Sequence, residues 1–278
     1  MRVAENFDVR ATSLDRLWRR TMASEASMLN VALLTLALLV ALLLAFRFLL
    51  RPWFVGLFFV AGLGAMIANA GRLDLQAFTW IKVITLAVTM AVLLAYPRGG
   101  PRARRVLGWA VTGIVFLNIL EAVVVDAVAG QWVNATAGAL LLVTLAGPSR
   151  VGARDLQGRP ALTYDLPWSW IAAYTLWNIT VVSRHYPQHY FDHVAVLAAP
   201  IVAAWLAGDR RLYIEARGLT LSLYAVAIVV MTEVIQAPWI PSAPSPAGFY
   251  PLLAGGAAAA GAWNLVAWLR ERGTSARK

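Results

Sequence analysis

Long apolar runs are the feature that most restricts how this chain can fold. One of them, residues 31–46, reads VALLTLALLVALLLAF without a charged residue. An α-helix needs about 20 predominantly apolar residues to cross a bilayer, and a backbone inside lipid must satisfy its own hydrogen bonds. Because the runs are continuous rather than alternating, we expect helices and not strands. The predicted fold class is all-α, a polytopic integral membrane helical bundle.

Composition agrees with this prediction and excludes several functions. Apolar residues make up 60% of the 278-residue chain and charged residues 14%, whereas soluble domains have about 25% charged residues. The absence of cysteine excludes disulfides, thiolate catalysis and cysteine-ligated metals. The first apolar run is too long for a signal peptide, so we expect no cleaved leader. We predict one transmembrane domain over 28–270, between an N-terminal tail (1–27) and a basic tail (271–278).

Proline and glycine separate the apolar runs into about nine predicted transmembrane helices. They are 28–46, 53–70, 77–96, 106–128, 131–147, 167–184, 188–207, 218–236 and 250–269. An alternative makes 53–70 a re-entrant segment, which leaves eight spans. The longest polar segments, 1–27 and 148–166, are too short to build a core of their own.

The connecting segments alternate in charge, which predicts the orientation. Segments 97–105, 150–159, 208–217 and 270–278 are basic, whereas 129–131 and 237–251 are uncharged. The positive-inside rule places the basic set and the C-terminus in the cytoplasm, as in a bacterial inner (plasma) membrane. Since the arginines lie in these short loops, the net charge of +10 does not indicate nucleic-acid binding. In the N-terminal tail, SLDRLWRRTM has the pattern of an amphipathic helix that lies at the interface.

Polar side chains inside the predicted helices concentrate toward the outer side. These side chains include Lys82, Asn118, Glu121, Asp126, Asn178 and Glu233. A charge at mid-membrane costs about 2.5–3.5 kcal/mol on insertion scales, so each is a functional candidate. We expect an outward-facing polar cavity in which Glu121 is the coupling or ion-binding carboxylate and Lys82 its counter-ion or an anion ligand. In the alternative, the same side chains reach the lipid headgroups.

An aromatic face in the sixth predicted helix belongs to the same candidate site. Tyr174, Trp177 and Asn178 follow helical spacing in DLPWSWIAAYTLWNITVV. Such a face can stack on an organic cation or ring. It can equally pack against a neighbouring helix, and both interpretations stay open.

All three histidines of the chain lie in RHYPQHYFDH, residues 184–193. On a helix, His189 and His193 share a face and are candidate ligands of a divalent metal, with His185 as a third. The HxxxH spacing lacks the glutamate that makes HExxH specific. A proton-responsive rim and a polar loop without a special role are the alternatives.

Three functions remain compatible with these features. The first is a transport protein, channel or ion-coupled carrier, with a site for a small ion or solute. The second is an intramembrane metal-dependent enzyme that acts on a lipid, and the third is a structural membrane subunit. Membrane lipids are expected neighbours. The Gly/Ala-rich segments 62–71 and 252–262 favour close helix packing, within the chain or in a homo-oligomer.

The metal hypothesis has a direct test. It predicts that a divalent transition metal co-purifies with the protein at near-stoichiometric amounts and is lost from a His189→Ala/His193→Ala variant. Elemental analysis of the two proteins measures this. No metal in either protein would favour the polar loop.

Overall fold

The computed structural model describes residues 29–45, 52–68, 77–156, 158–185, 187, 190–229 and 247–275. This part of the chain is predominantly helical, as the apolar runs predict. Its α-helices are α1 Leu29–Leu44, α2 Pro52–Ala68, α3 Ala77–Ala95, α4 Pro101–Val128, α5 Trp132–Val143, α6 Trp168–His185, α7 Tyr190–Leu206, α8 Tyr213–Val229 and α9 Tyr250–Ser275. The N-terminal tail and its predicted amphipathic helix lie outside the described residues.

Each of the nine predicted segments overlaps one of these helices, with shifted ends. Helix α4 begins at Pro101 rather than at 106, because proline at a first helical position loses no hydrogen bond. Helix α8 begins at Tyr213 rather than at 218. This earlier start places Glu215 and Arg217, which the charge pattern assigns to a loop, on the face of a helix.

Two described helices are long and apolar enough to cross a membrane by length and composition. They are α4, with 28 residues, and the segment Tyr250–Gly273 of α9, with 24. Only 17% and 22% of their most apolar windows are buried inside the protein. A core helix of a soluble protein would be buried over most of its length.

A β-hairpin within the segment 148–166 is an element that the apolar runs do not predict. Strands β1 (Val151–Leu156) and β2 (Arg159–Tyr164) pair antiparallel, with Val151 opposite Tyr164. Gly158 makes the tight turn with a positive φ of 79°, a conformation that suits glycine. The hairpin does not need a core of its own, because Leu162 and Tyr164 are fully buried against the helices.

The hairpin brings three basic segments together at one end of the helices. Arg154 bonds Asp209 at 2.7 Å and Arg159 bonds Glu215 at 3.1 Å, which connects the hairpin to segment 208–217. The Tyr96 hydroxyl donates to the Val151 carbonyl at 2.9 Å, beside segment 97–105. The charged loops therefore share one end, as the alternation of charge predicts.

At the opposite end, the uncharged connection 129–131 meets the start of α9. The Tyr250 hydroxyl donates to Gln131 Oε1 at 2.8 Å, and the Arg184 guanidinium lies 5.8 Å from the centre of the Tyr250 ring. Between the two ends, α6 packs against α5, α7 and α9, while α8 packs against α2, α3 and α7. The largest fully buried side chains include Trp170, Trp177 and Tyr213.

Asp209 is a buried, hydrogen-bonded carboxylate at the basic end, and the effect of its protonation on stability can be tested. Its side chain is 7% exposed and accepts hydrogen bonds from Arg211 and Arg154. The Arg211 guanidinium is the main cause that lowers the pKa of Asp209 from 3.8 to about 2, although burial raises it. This carboxylate therefore stabilises the fold above its unfolded pKa, and the contribution is lost as the pH falls through about 2.

We predict that Asp209→Asn lowers the free energy of unfolding by about 1–2 kcal/mol at neutral pH. Unfolding in detergent as a function of pH measures it, and the difference from wild type should shrink below pH 3.8. The matched control is Asp165→Asn, whose carboxylate is 32% exposed and pairs with Arg150 and Arg210. If both variants lost the same free energy of unfolding at every pH, the stabilising role of the Asp209 carboxylate would be contradicted.

Candidate functional site

A cavity of about 520 Å³ lies between α3, α4, α6 and α8, with one residue from α7. This volume is in the usual range for small-molecule sites, about 300–1,000 Å³. Its walls are mostly aliphatic and aromatic. The polar or ionisable side chains that line it are Thr85, Thr89, Asn118, Glu121, Tyr174, Trp177, Asn178, His185, His193, Arg217 and Tyr224.

Helical periodicity explains why these residues meet. Asn118 and Glu121 are one turn apart on α4, and Tyr174 and Asn178 are one turn apart on α6. Seven of the side chains singled out in the sequence line this one cavity: Asn118, Glu121, Tyr174, Trp177, Asn178, His185 and His193. Glu233, His189 and the side chain of Lys82 lie outside the described residues. Whether this set binds a solute remains a prediction.

Asp126 lies beside the cavity and organises one end of it. Its side chain is fully buried, although it belongs to a helix end where the sequence also allowed contact with headgroups. Asn134 Nδ2 donates to Asp126 Oδ2 at 2.6 Å, and His185 Nε2 lies 2.9 Å from Asp126 Oδ1. The cluster connects α4, α5 and α6, and it presents the His185 ring to the cavity.

A second carboxylate–histidine group connects α7 and α8. The Tyr224 hydroxyl donates to the buried Asp192 carboxylate, and His193 Nδ1 lies 3.9 Å from Asp192 Oδ1. His193 and Tyr224 also stack edge to face, with 5.2 Å between ring centres. Sequence analysis singled out His193 but not Tyr224, whose place opposite Asp192 depends on a contact between residues that are 32 positions apart.

The predicted metal site is not assembled by the residues that the structure describes. His185 and His193 pair with different aspartates, and no group of three or more metal-ligating side chains occurs in the described ranges. His189 lies outside those ranges, so its part in the metal hypothesis stays a prediction.

The aromatic face of α6 both packs and lines the cavity. Tyr174 stacks on Trp170 with 5.0 Å between ring centres and lies 6.1 Å from Trp177. The Trp177 indole donates to the Asn134 carbonyl at 3.1 Å. A Cβ at Gly138 would lie 2.9 Å from this ring, so glycine is required for α5 to approach it. The wall is consequently rigid, which suits a preformed pocket.

Arg217 is a charged cavity residue that sequence analysis missed. It lies on α8 on the same face as Ile214, Leu221 and Tyr224, which all line the cavity. The neighbouring Gly218 allows this close packing, because a Cβ there would lie 2.5 Å from Leu93 Cδ1. Arg217 Nε and Nη1 are buried without a hydrogen-bond acceptor among the described residues. Its position within a basic segment does not predict a buried guanidinium beside a cavity.

Comparison with known proteins assigns no activity to this site. A family model described as "Family of unknown function (DUF5692)" matches residues 127–243. The matched segment includes α5 to α8 with the hairpin, and therefore Trp177, His185 and Arg217, but not Glu121. No curated protein matches the chain, and no solved structure matches it.

The Asp126 cluster generates a prediction about stability. Asp126→Ala removes the acceptor of Asn134 and His185 at a fully buried position, so we expect a loss of about 2–4 kcal/mol of unfolding free energy. Thermal or denaturant unfolding in detergent measures it. The matched control is Thr136→Ala on the exposed face of α5, where we expect about 0.5 kcal/mol or less. Similar losses in the two variants would argue that the cluster does not form.

Proposed function

We propose that this protein is a multi-pass membrane protein that carries a small ion or solute through the cavity between α3, α4, α6 and α8. The observation that carries the proposal is the cavity itself. It combines a carboxylate, amides and a guanidinium with apolar walls, between four helices of the bundle. Membrane proteins keep ionisable residues in such interiors mainly for substrate and ion pathways.

The outer surface of the bundle supports placement in a membrane. Large apolar side chains are exposed on α2, α3, α4, α7 and α9, among them Leu57, Val88, Trp109, Trp205, Leu252 and Trp263. Soluble monomers rarely expose apolar patches above about 600 Å². Lipid is the neighbour that makes this surface favourable, so we propose that all nine helices lie in the bilayer.

The two ends of the bundle support the orientation. Three of the basic segments meet around the hairpin, and the uncharged connection 129–131 meets the start of α9 through Gln131 and Tyr250. By the positive-inside rule, the hairpin end and the C-terminus face the cytoplasm of a cell whose inner membrane holds the protein. His185 and His193 then lie toward the outer end of the cavity, as the proposed outward-facing site requires.

Glu121 is the proposed coupling or ion-binding group of the transport cycle. It lines the cavity in the C-terminal half of α4, one turn from Asn118. The sequence contains no nucleotide-binding P-loop, so we propose that an ion gradient drives the transport. A carboxylate at this depth can exchange a proton or a cation between the two states of a carrier.

A structural subunit is the second candidate, and one observation favours it. Gly255 and Gly256 of α9 are exposed, and a Cβ at either position would meet no other atom of the described chain within 4 Å. Small residues on a lipid-facing surface allow another helix to approach closely. Association through α9 would join protomers of a homo-oligomer or attach this chain to a larger assembly. This role predicts tolerance of substitution at Glu121.

The two candidates make opposite predictions for Glu121→Gln. Transport predicts that the variant loses flux in proteoliposomes or changes its pH dependence, because the amide cannot exchange a proton, while the protein elutes as the folded wild type does. The matched control is Glu271→Gln, an exposed position of α9 outside the cavity. Unchanged flux in Glu121→Gln would remove this carboxylate from the mechanism and favour the structural role.

A further inference from the structure

The environment of Arg217 is not explained by the proposed role of Glu121. Its Nε and Nη1 atoms are buried and lack a hydrogen-bond acceptor among the described residues, although the guanidinium borders an open cavity. Buried charges in proteins are almost always paired or hydrogen-bonded. A guanidinium left in this state indicates that its acceptor is supplied by something outside the described chain.

The surroundings of Arg217 indicate which acceptor fits. Among the described residues that line the cavity, it is the one lysine or arginine. Glu121, His185 and His193 line the same cavity, but the two histidines belong to the carboxylate groups at its other end. Along α8, Tyr224 lies about 10 Å from Arg217 by helical rise. The cavity thus has a cationic end and an acid-rich end.

The walls between these ends are apolar and aromatic. Tyr174 and Trp177 line the cavity from α6, Val111 and Ile114 line it from α4, and Leu221 lines it from α8. A ligand that spans this space needs an apolar or aromatic body. A guanidinium presents planar donors that match a carboxylate. A carboxylate also carries one charge, which costs less to bring into an apolar cavity than the two charges of a phosphate monoester.

We propose that the cavity binds a small organic anion whose carboxylate is held by Arg217 and whose apolar body lies against Tyr174 and Trp177. This inference rests on the proposed function, since it names the class of solute that the transport site takes. Arg217 is the specificity-determining residue. The missing side chain of Gly218 allows α8 to lie close enough to α3 for the guanidinium to reach the cavity.

The test uses the full-length protein in detergent and three probes with the same body. Phenylacetate carries the carboxylate, phenylacetamide is its neutral counterpart, and phenethylamine is a cation. Hexanoate tests whether an aliphatic body also fits. Thermal stabilisation and titration calorimetry measure binding to wild type, Arg217→Gln, Arg217→Lys and the control Arg102→Gln, which changes an exposed arginine at the start of α4.

We expect the two carboxylates to bind wild type and Arg102→Gln, with little binding of the amide or the amine. Arg217→Gln should weaken carboxylate binding about tenfold or more, because a charge-assisted hydrogen bond is lost. Arg217→Lys should keep part of the binding, since it keeps the charge. Without ligand, Arg217→Gln should unfold at the same temperature as wild type or higher, because it removes a charge that lacks an acceptor.

Several results would overturn the inference. For the wild type, they are the absence of carboxylate binding, or binding of phenylacetamide or phenethylamine that equals carboxylate binding. For Arg217→Gln, they are unchanged carboxylate binding, or a markedly lower unfolding temperature without ligand. Flux separates this failure from a failure of transport. Carboxylate binding without flux in proteoliposomes would leave the anion site standing and reject transport. Flux of another solute without carboxylate binding would reject the anion site alone.

Discussion

Every charged group between the helices must find a partner there, and this requirement organises the interior of the protein. Asp126 has Asn134 and His185, and Asp192 has Tyr224. An unpaired charge away from water costs several kcal/mol in effective terms. Asp126 thus connects α4 with α5 and α6, and Asp192 connects α7 with α8, around the cavity. Among the described residues, Arg217 departs from this pattern, and this departure is the basis of the proposed ligand site.

Charged groups of the hairpin are also paired, at the basic end of the bundle. Arg154 and Arg159 reach from the strands to Asp209 and Glu215, so charges that orient the chain also connect its loops. The Arg159–Glu215 pair is largely buried, and the arginines around Asp209 are half-exposed. The connected loops hold the start of α8, and with it Arg217, in a fixed position relative to α3 and α6.

The sequence was sufficient for the helices, because each apolar run satisfies its own backbone hydrogen bonds without help from distant residues. It also indicated the cavity side of α4 and α6, since Asn118, Glu121, Tyr174 and Asn178 follow helical spacing. The hairpin could not be predicted, because its short strands are stabilised by residues elsewhere in the chain. Leu162 and Tyr164 become a core only when the helices cover them.

The missed site residues have a similar explanation. Arg217 was counted as one of several orienting charges, and only the early start of α8 moves it into the cavity. The pairs His185–Asp126 and Tyr224–Asp192 join positions that are 59 and 32 residues apart, and no local pattern shows such distances. His185 and His193 are close in sequence yet belong to separate carboxylate groups.

The central claim is that apolar side chains on the outside of the bundle face lipid while the cavity inside is open to water and solute. The chain has no cysteine, so single cysteines can test this on one helix. Asn118 lines the cavity, and the adjacent Leu117 is 62% exposed on the outer surface of α4. In liposomes, a charged thiol reagent should modify Asn118→Cys and leave Leu117→Cys unmodified. Modification of both would contradict the lipid contact, and modification of neither would contradict an open cavity.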